Sequence, residues 1–250
     1  MDASAAVPLI VAGLIPVTFV VLLLVERWFP ARELPRVEGW TKKGILFFFV
    51  TGFFQIAAPA LVALGISRGT PLHLHLATLG LAPCVALLLV SCEVLSYSIH
   101  RTMHVVPWLW RWTHQLHHSA ERVDVAGALY FHPFDVVLQS TITALPAAVF
   151  GVSPAAAAIA GYVFFFMAVF QHVNVRTPRW LGFLVIRPEQ HALHHERGVH
   201  QHNYGNFAFM DLLLGTFENP KDFVPEAGFY EGASARVAEM LLGKDVSVRP

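Results

Sequence analysis

Apolar residues in this chain are gathered into long blocks. Residues 6–25 carry no charged side chain, and neither do residues 45–66. A third block, residues 76–92, resumes after Glu93 and runs on to Ile99. Residues 136–175 give 40 consecutive positions without a charge. A helix needs about 20 apolar residues to cross a bilayer, so each of the first three blocks is long enough for one crossing. The fourth is long enough for two, and Gly151-Val152-Ser153-Pro154 at its middle is a turn signal that makes it a hairpin. Its arms, of 15 and about 20 residues, are short, and they fit either a full crossing or a re-entrant loop.

Polar segments separate the blocks. Residues 26–43 form a linker with Pro30 and Pro35, and residues 218–250 form a polar tail with one short helix expected over 234–242. No internal repeat or low-complexity tract interrupts this order. The pattern predicts an all-α, integral-membrane helical bundle: three spans plus a hydrophobic hairpin, with a cytoplasmic helical cap. We expect one membrane-embedded domain over 1–250, with transmembrane helices in 1–99. A histidine-rich region, 100–220, contains the hairpin, and 221–250 is a tail.

Charge gives the expected orientation. If the first block leaves the N-terminus outside, 16 of the 17 Lys and Arg residues fall on one side, and Arg68 is the exception. The positive-inside rule makes that side cytoplasmic. The first block lacks a basic n-region and a small-residue cleavage site, so it is expected as a retained span. Composition narrows the function. Charged residues are only 14% of the chain and the net charge is zero, which excludes a disordered chain and a nucleic-acid surface. Two cysteines, Cys84 and Cys92, are too few for a disulfide framework or a thiolate metal site, and both are expected as small core residues.

Fourteen histidines are the anomaly. His73 and His75 lie in the predicted outer loop and are expected to be incidental. The other twelve lie between 100 and 202. Three groups have helical spacing: His100 and His104; His114, His117 and His118; His191, His194 and His195. At about 100° per residue, an i, i+4 pair shares a face, and each HxxHH group fans over roughly 100° of helix surface. Adjacent rings such as His117 and His118 diverge, so each can turn to a different one of two neighbouring ions. These eight nitrogens, with His172 as a ninth and His132 as a tenth candidate, suit two ions with four or five ligands each. His200 and His202 are further candidates. Imidazole suits Zn, Cu, Fe and Ni. No H-E-x-x-H zinc-hydrolase pattern occurs, and two redox metals beside a membrane suit dioxygen chemistry on lipid.

Ordered motifs then carry a resemblance: His100-x-x-x-His104, His114-x-x-His117-His118, His132-Pro133, His172-x-Asn174, His191-x-x-His194-His195, Asn203-Tyr204-Gly205 and Asp211 through Phe217. Over about residues 90–220 the chain resembles the fatty acid hydroxylase/sterol desaturase superfamily of integral-membrane di-iron oxygenases. The resemblance implies two Fe ions bound by His100, His104, His114, His117, His118, His172, His191, His194 and His195. It also implies O2-dependent oxidation of a lipid C–H bond, by hydroxylation or desaturation. Electrons would come from a separate donor of cytochrome b5 or ferredoxin type. Arg176 stands where some relatives place a second histidine four residues after His172, Glu93 where Asp is expected, and Met210 where Trp is usual.

Metal-bound histidines usually donate their second N–H to a carboxylate or carbonyl. Glu93, Asp135, Glu196 and Asp211 are the nearby carboxylates, with Asn174 and Asn203 as further supporting candidates. Pro188 is expected to open the last histidine helix and Gly198 to close it, while Pro107 redirects the chain between the first two groups. Phe47–Phe49 and Phe164–Phe166 are expected to face lipid or core rather than substrate. Two rival readings are a metal transporter, which places its ligands at mid-membrane, and a b-type haem protein, which needs two facing histidines.

Overall fold

The computed structural model describes residues 3–66 and 74–249, so Arg68 and His73 lie outside the described residues. Its helices are α1 (Ala3–Trp28), α2 (Trp40–Ile66), α3 (Leu81–Val105), α4 (Pro107–Leu109), α5 (Gln115–His118), α6 (Pro133–Phe150), α7 (Pro154–His172), α8 (Pro188–His194), α9 (Ala208–Leu214) and α10 (Val237–Leu241). Among the described residues β-structure is limited to two isolated bridges, Val185 with Phe207 and Glu196 with Ala227. Residues 6–28 within α1, together with α3, α6 and α7, are long and apolar enough to cross a membrane. The second predicted block is carried by α2, a helix of 27 residues.

The hairpin follows its sequence signals. Gly151 ends α6 in the left-handed conformation at φ 60°, which glycine adopts without a Cβ penalty. Ser153 then caps α7 by accepting from the Ala156 N–H, and Pro154 takes the first helical position. The arms are 18 and 19 residues, or about 27 and 29 Å at 1.5 Å per residue, close to the hydrocarbon thickness. The first arm exceeds the expected 15 because Pro133 opens the helix before the charge-free run begins, and Asp135 sits inside its first turn.

The third block is corrected at both ends. Leu76–Leu79 forms a 3-10 turn, and Gly80 at φ 87° separates it from α3. Beyond Ile99, α3 continues to Val105 and carries His100 and His104. Cys84, Leu88 and Cys92 pack against Ile142, Ala156, Ala160 and Phe164 of the hairpin, and both thiols are buried and free. This three-helix packing sets the end of α3 beside the end of α7. Around it, α1 lies against α7 and α2 against α6.

The polar tail folds back on the molecule. Met240 and Val246 are buried with Trp40, Leu116 and Tyr130. The Gln115 carboxamide donates to the Lys244 carbonyl at 2.7 Å and accepts from the Val246 N–H at 3.2 Å. The helix expected over 234–242 is divided into a 3-10 turn, Ala233–Ala235, and α10.

Candidate metal centre

Three short pieces of chain carry the histidine groups. His100 and His104 end α3. Val106 is extended, as the residue before a proline prefers, and Pro107 then starts α4 in a new direction. The second group departs from the single α-helix expected. Trp110–His114 is a turn of π-helix, a feature common at functional sites, and only then does α5 carry His117 and His118. Pro188 opens α8 as expected, but the helix ends at His194 with His195 as its cap (φ −90°, ψ 3°). Gly198 does not close it. The chain has already left the helix to pair Glu196 with Ala227, and Gly198 serves the following turn at φ 79°.

These pieces and the end of α7, which carries His172, bring nine histidines into two groups. His100, His104, His114, His118 and His194 have ring nitrogens within 4.8 Å of one another, and so do His117, His172, His191 and His195. Adjacent residues split between them: His117 and His118 go to different groups, as do His194 and His195. The groups meet where His118 stacks on His195, with ring centroids 4.1 Å apart.

Hydrogen bonding tests whether such a set fits a cation. His100 Nδ1 lies 2.7 Å from the Tyr204 carbonyl, His114 Nδ1 2.6 Å from Asp135, His194 Nδ1 2.7 Å from the His202 carbonyl and His172 Nδ1 2.7 Å from the Ala168 carbonyl. Each partner only accepts, so each Nδ1 holds the proton and each neutral ring keeps a lone pair on Nε2. Yet His100 Nε2 lies 2.9 Å from His114 Nε2 and 3.1 Å from His194 Nε2. Lone pairs facing one another at that distance have no hydrogen between them and suit a shared cation. In the other group, His172 Nε2 lies 3.2 Å from the Nε2 of both His117 and His191, and His195 Nε2 lies 3.1 Å from that of His191. Burial first, then mutual repulsion, pushes the proton affinity of His117, His118, His191, His194 and His195 well below the ordinary range. The rings are therefore held in the neutral form that metals bind. Among the described residues the buried Nε2 atoms of His104 and His118 have no hydrogen-bond partner, as expected for atoms aimed at an ion.

The remaining candidates fall elsewhere. His132 caps α6, its Nδ1 accepting from the Phe134 N–H, and it joins neither group. His200 Nδ1 lies 3.1 Å from His118 Nδ1, and burial pushes its proton affinity down to about 4. His202 contributes its carbonyl rather than its ring to His194. His75 precedes the 3-10 turn at Leu76, away from both groups. Asp135 is the one candidate carboxylate bonded directly to a ring in these groups. Glu93 and Asp211 act at one remove. Glu93 accepts from the Asn206 and Phe207 N–H groups, and Asp211 from those of Tyr204 and Gly205. Together they hold the turn that presents the Tyr204 carbonyl to His100. Asn203 ties α8 to the segment after α9, through Gln190 O and the Glu218 N–H. Asn174 ties the end of α7 to the end of α1: its side chain donates to Arg32 O and its carbonyl accepts from the Ala31 N–H. Glu196 contributes its backbone bridge.

Sequence reasoning missed three supports. Glu26, at the end of α1, accepts from the N–H groups of both Val125 and Asn174. Arg187 is buried before α8, pairs with Glu189 at 2.7 Å and donates to Asn219 and to the Pro220 carbonyl. Gly205 is required by space, because a Cβ there would lie 2.4 Å from Glu93 Oε1 and 2.9 Å from the Phe207 carbonyl. Only Gly205 sat inside a motif; Glu26 reaches partners 99 and 148 residues away, and Arg187, beside its ion-pair partner Glu189, reaches Asn219 and Pro220 more than 30 residues on.

A cavity of about 900 Å³, mostly apolar, opens beneath the centre and is bounded by α1, α2, α6 and α7. His100, His114, His117, His172 and His191 reach its wall. The phenylalanines lie in core or on the surface as expected: Phe48, Phe164 and Phe165 pack in the core, Phe49 is exposed, Phe47 packs on Tyr130 and Phe166 on Phe170, while Phe48, Phe49, Phe164 and Phe165 also border this cavity.

A family model for fatty acid hydroxylase matches residues 85–216. The chain is 32% identical over 218 residues to ornithine lipid hydroxylase OlsE of Rhizobium tropici, covering 81% of this chain and 65% of that protein. It is 30% identical to sphinganine C4-monooxygenase 2 of Arabidopsis thaliana, over 53% of this chain and 52% of that protein. It is 28% identical to Delta(7)-sterol-C5(6)-desaturase of Nicotiana tabacum, over 54% of this chain and 49% of that protein. The chain thus spans about half to two thirds of the length of these relatives. No solved structure gave a significant match.

Proposed function

The chain belongs to the fatty acid hydroxylase family, and from that premise we propose that it is a membrane-bound di-iron oxygenase that oxidises a C–H bond of a lipid. The observation that carries this reading is the pairing of two histidine groups, with Nε2 lone pairs facing one another, with an apolar cavity that begins at their rings. The family is iron-dependent. We assign one iron to His100, His104, His114, His118 and His194, and a second to His117, His172, His191 and His195. When bound, the irons would activate O2, which is the oxidant, taking two electrons from the lipid and two from the external donor.

The chain's own residues do the rest. Asp135 keeps the proton on His114 Nδ1 and so presents Nε2 to the metal. The Tyr204 and His202 carbonyls do the same for His100 and His194. Phe131 stacks on His117 at 4.4 Å and shields that ring from water. The cavity holds an apolar chain beside the rings and excludes solvent from the oxidised carbon. Residues 1–250 act as one membrane-embedded domain, with the tail beneath α5. The one-sided distribution of Lys and Arg supports a centre on the cytoplasmic side, where O2 and a separate donor of cytochrome b5 or ferredoxin type would reach it.

Two measurements test the reading. Metal analysis of the purified chain should give about two irons per molecule. Lipid profiling of cells with and without the gene under isotopically labelled O2 should give a lipid product absent from cells expressing His117→Ala. Full lipid oxidation by His117→Ala, with less than one iron bound, would sink it. Incorporation of the label marks hydroxylation, and a product with an added double bond and no label marks desaturation.

A further inference from the structure

The cavity is polarised along its length, and this bears on what it holds and which way round. On α7 it is lined by Pro154, Ala158, Gly161, Phe165, Ala168 and His172. These positions recur at three or four residues and form one stripe down the whole helix, about 27 Å from His172 to Pro154. Gln139, Thr143, Ala147 and Gly151 make the matching stripe on α6. The polar members of both stripes lie at the histidine end. Gln139 is one turn beyond Asp135, and Thr143 one turn further. Past them, the α6 stripe is built of alanine and glycine down to the hairpin turn. The facing positions on α1 at that depth, Pro8, Val11 and Ile15, are also apolar.

Gln139 is half spent. Its Nε2 donates to Asp135 Oδ1 at 3.3 Å, which leaves its Oε1 as an acceptor on the cavity wall. Other polar side chains on the wall are already bonded within the protein, Thr51 to the Leu129 carbonyl, Tyr162 to Thr18 and Gln171 to the Gly205 carbonyl, and an acceptor left open on this mostly apolar wall favours a ligand that brings a donor to it.

We propose that the cavity binds a long, unbranched amphiphile tail-first. Its tail runs toward Gly151 and Pro154, and its polar end carries an O–H or N–H donor that Gln139 accepts beside the histidines. Oxidation then falls near the polar end of the molecule, not near its tail. This rests on the lipid-oxygenase reading for its chemistry, but the binding and its direction stand apart from turnover.

Gly161 gives the tail-end test. A Cβ there meets nothing within 4 Å, so a larger side chain enters the cavity rather than the packed core. The probe is a straight-chain fatty alcohol with a photoactivatable diazirine on its terminal carbon, crosslinked to the full-length protein in detergent and mapped by peptide mass spectrometry. We expect adducts on the hairpin turn, between Ala147 and Ala158. In Gly161→Leu, we expect labelling by the longest probes to fall relative to the shortest. The fall should be on the order of tenfold for every two methylenes displaced. Adducts at the histidine end instead would overturn the direction. Equal competition by a sterol or by an alkane without a polar group would overturn the chemical class. Correctly placed adducts on a protein that forms no oxidised or desaturated lipid would show that the oxygenase reading fails while this one stands.

Discussion

The five-nitrogen group around His100 and the four-nitrogen group around His172 lie side by side, meet at the His118–His195 stack, and differ in what stands behind the rings. In the first, His100, His114 and His194 each donate their outer N–H, to a carbonyl, a carboxylate and a carbonyl, and His118 faces His200. In the second, His172 alone has such a partner. The Nδ1 atoms of His117, His191 and His195 are buried and make no hydrogen bond to described residues. Outer partners fix ring orientation and raise the basicity of the metal-facing nitrogen. The first group is therefore the better oriented and the more strongly donating, and it also has one more ring. The second faces the cavity through three of its rings. The two metal positions should differ in affinity, with the weaker one nearer the cavity.

Deleting one ring from each group breaks the comparison most sharply. His118→Ala leaves four nitrogens in the first group, and His195→Ala leaves three in the second. We expect His195→Ala to retain about one iron per chain and to lose activity by at least about 100-fold. His118→Ala should keep more than one iron. Metal analysis beside activity checks this, and equal iron loss in the two variants would remove the asymmetry.

Asp135→Asn acts only on the first group. The amide no longer stabilises the proton on His114 Nδ1, and the expected cost is about 10- to 100-fold in affinity for one of the two metals. Chelator titration followed in real time should show one weakened site and one unchanged. If both weaken together, the groups behave as a single unit.

Acid should reach the two groups unequally. Burial holds His118 and His194 of the first group and His117, His191 and His195 of the second well below their unfolded value of about 6.5, so what separates the groups is the outer N–H partners that the second largely lacks. In the metal-free protein, the unfolded chain then takes up more protons than the folded one as pH falls. Stability is full above that value and declines below it. Protons compete with metal in the same direction. Iron loss between about pH 7 and pH 5 should begin with one ion per chain. Thermal melts of chelated and loaded protein across that range should diverge at the higher pH and converge at the lower.

How much of this was legible in the sequence varies with distance along the chain. The eight boxed histidines were readable as candidates because a helix turns by a fixed angle, and local spacing alone predicts that His117 and His118 part company; His172, alone in its run, was readable from its place at the end of the hairpin. The hairpin was readable from Gly151, Ser153 and Pro154, which act on their immediate neighbours. The π turn at Trp110 was not, since no residue type encodes it, and neither was the end of α8 at His195, which a bridge to Ala227 imposes. The supports were the least readable. Glu26 reaches Asn174 across 148 positions and Glu93 reaches Asn206 across 113, and a single carboxylate in an apolar run does not name its partner. His132 misled for the opposite reason. It has the ligand's chemistry, but its position directly before a helix-starting proline makes it a cap.

The smallest effect should come from the joint behind the second group. Asn174 stands two residues after His172, and its side chain donates to Arg32 O at 2.7 Å, fastening the end of α7 to the end of α1. Asn174→Ala removes that bond but keeps the backbone links from Ala31 and to Glu26, so the expected loss is about 1 kcal/mol of stability. His172 keeps its own bond to the Ala168 carbonyl, which lies within α7 and does not depend on the joint. The ring should therefore stay oriented while the helix end that carries it becomes looser. The readout is the exchange rate of the more labile iron, which should rise a few-fold while the tighter iron is unmoved. If both irons exchange faster by the same factor, the joint serves the bundle as a whole, and the second group owes its lability to its own unpaired Nδ1 atoms.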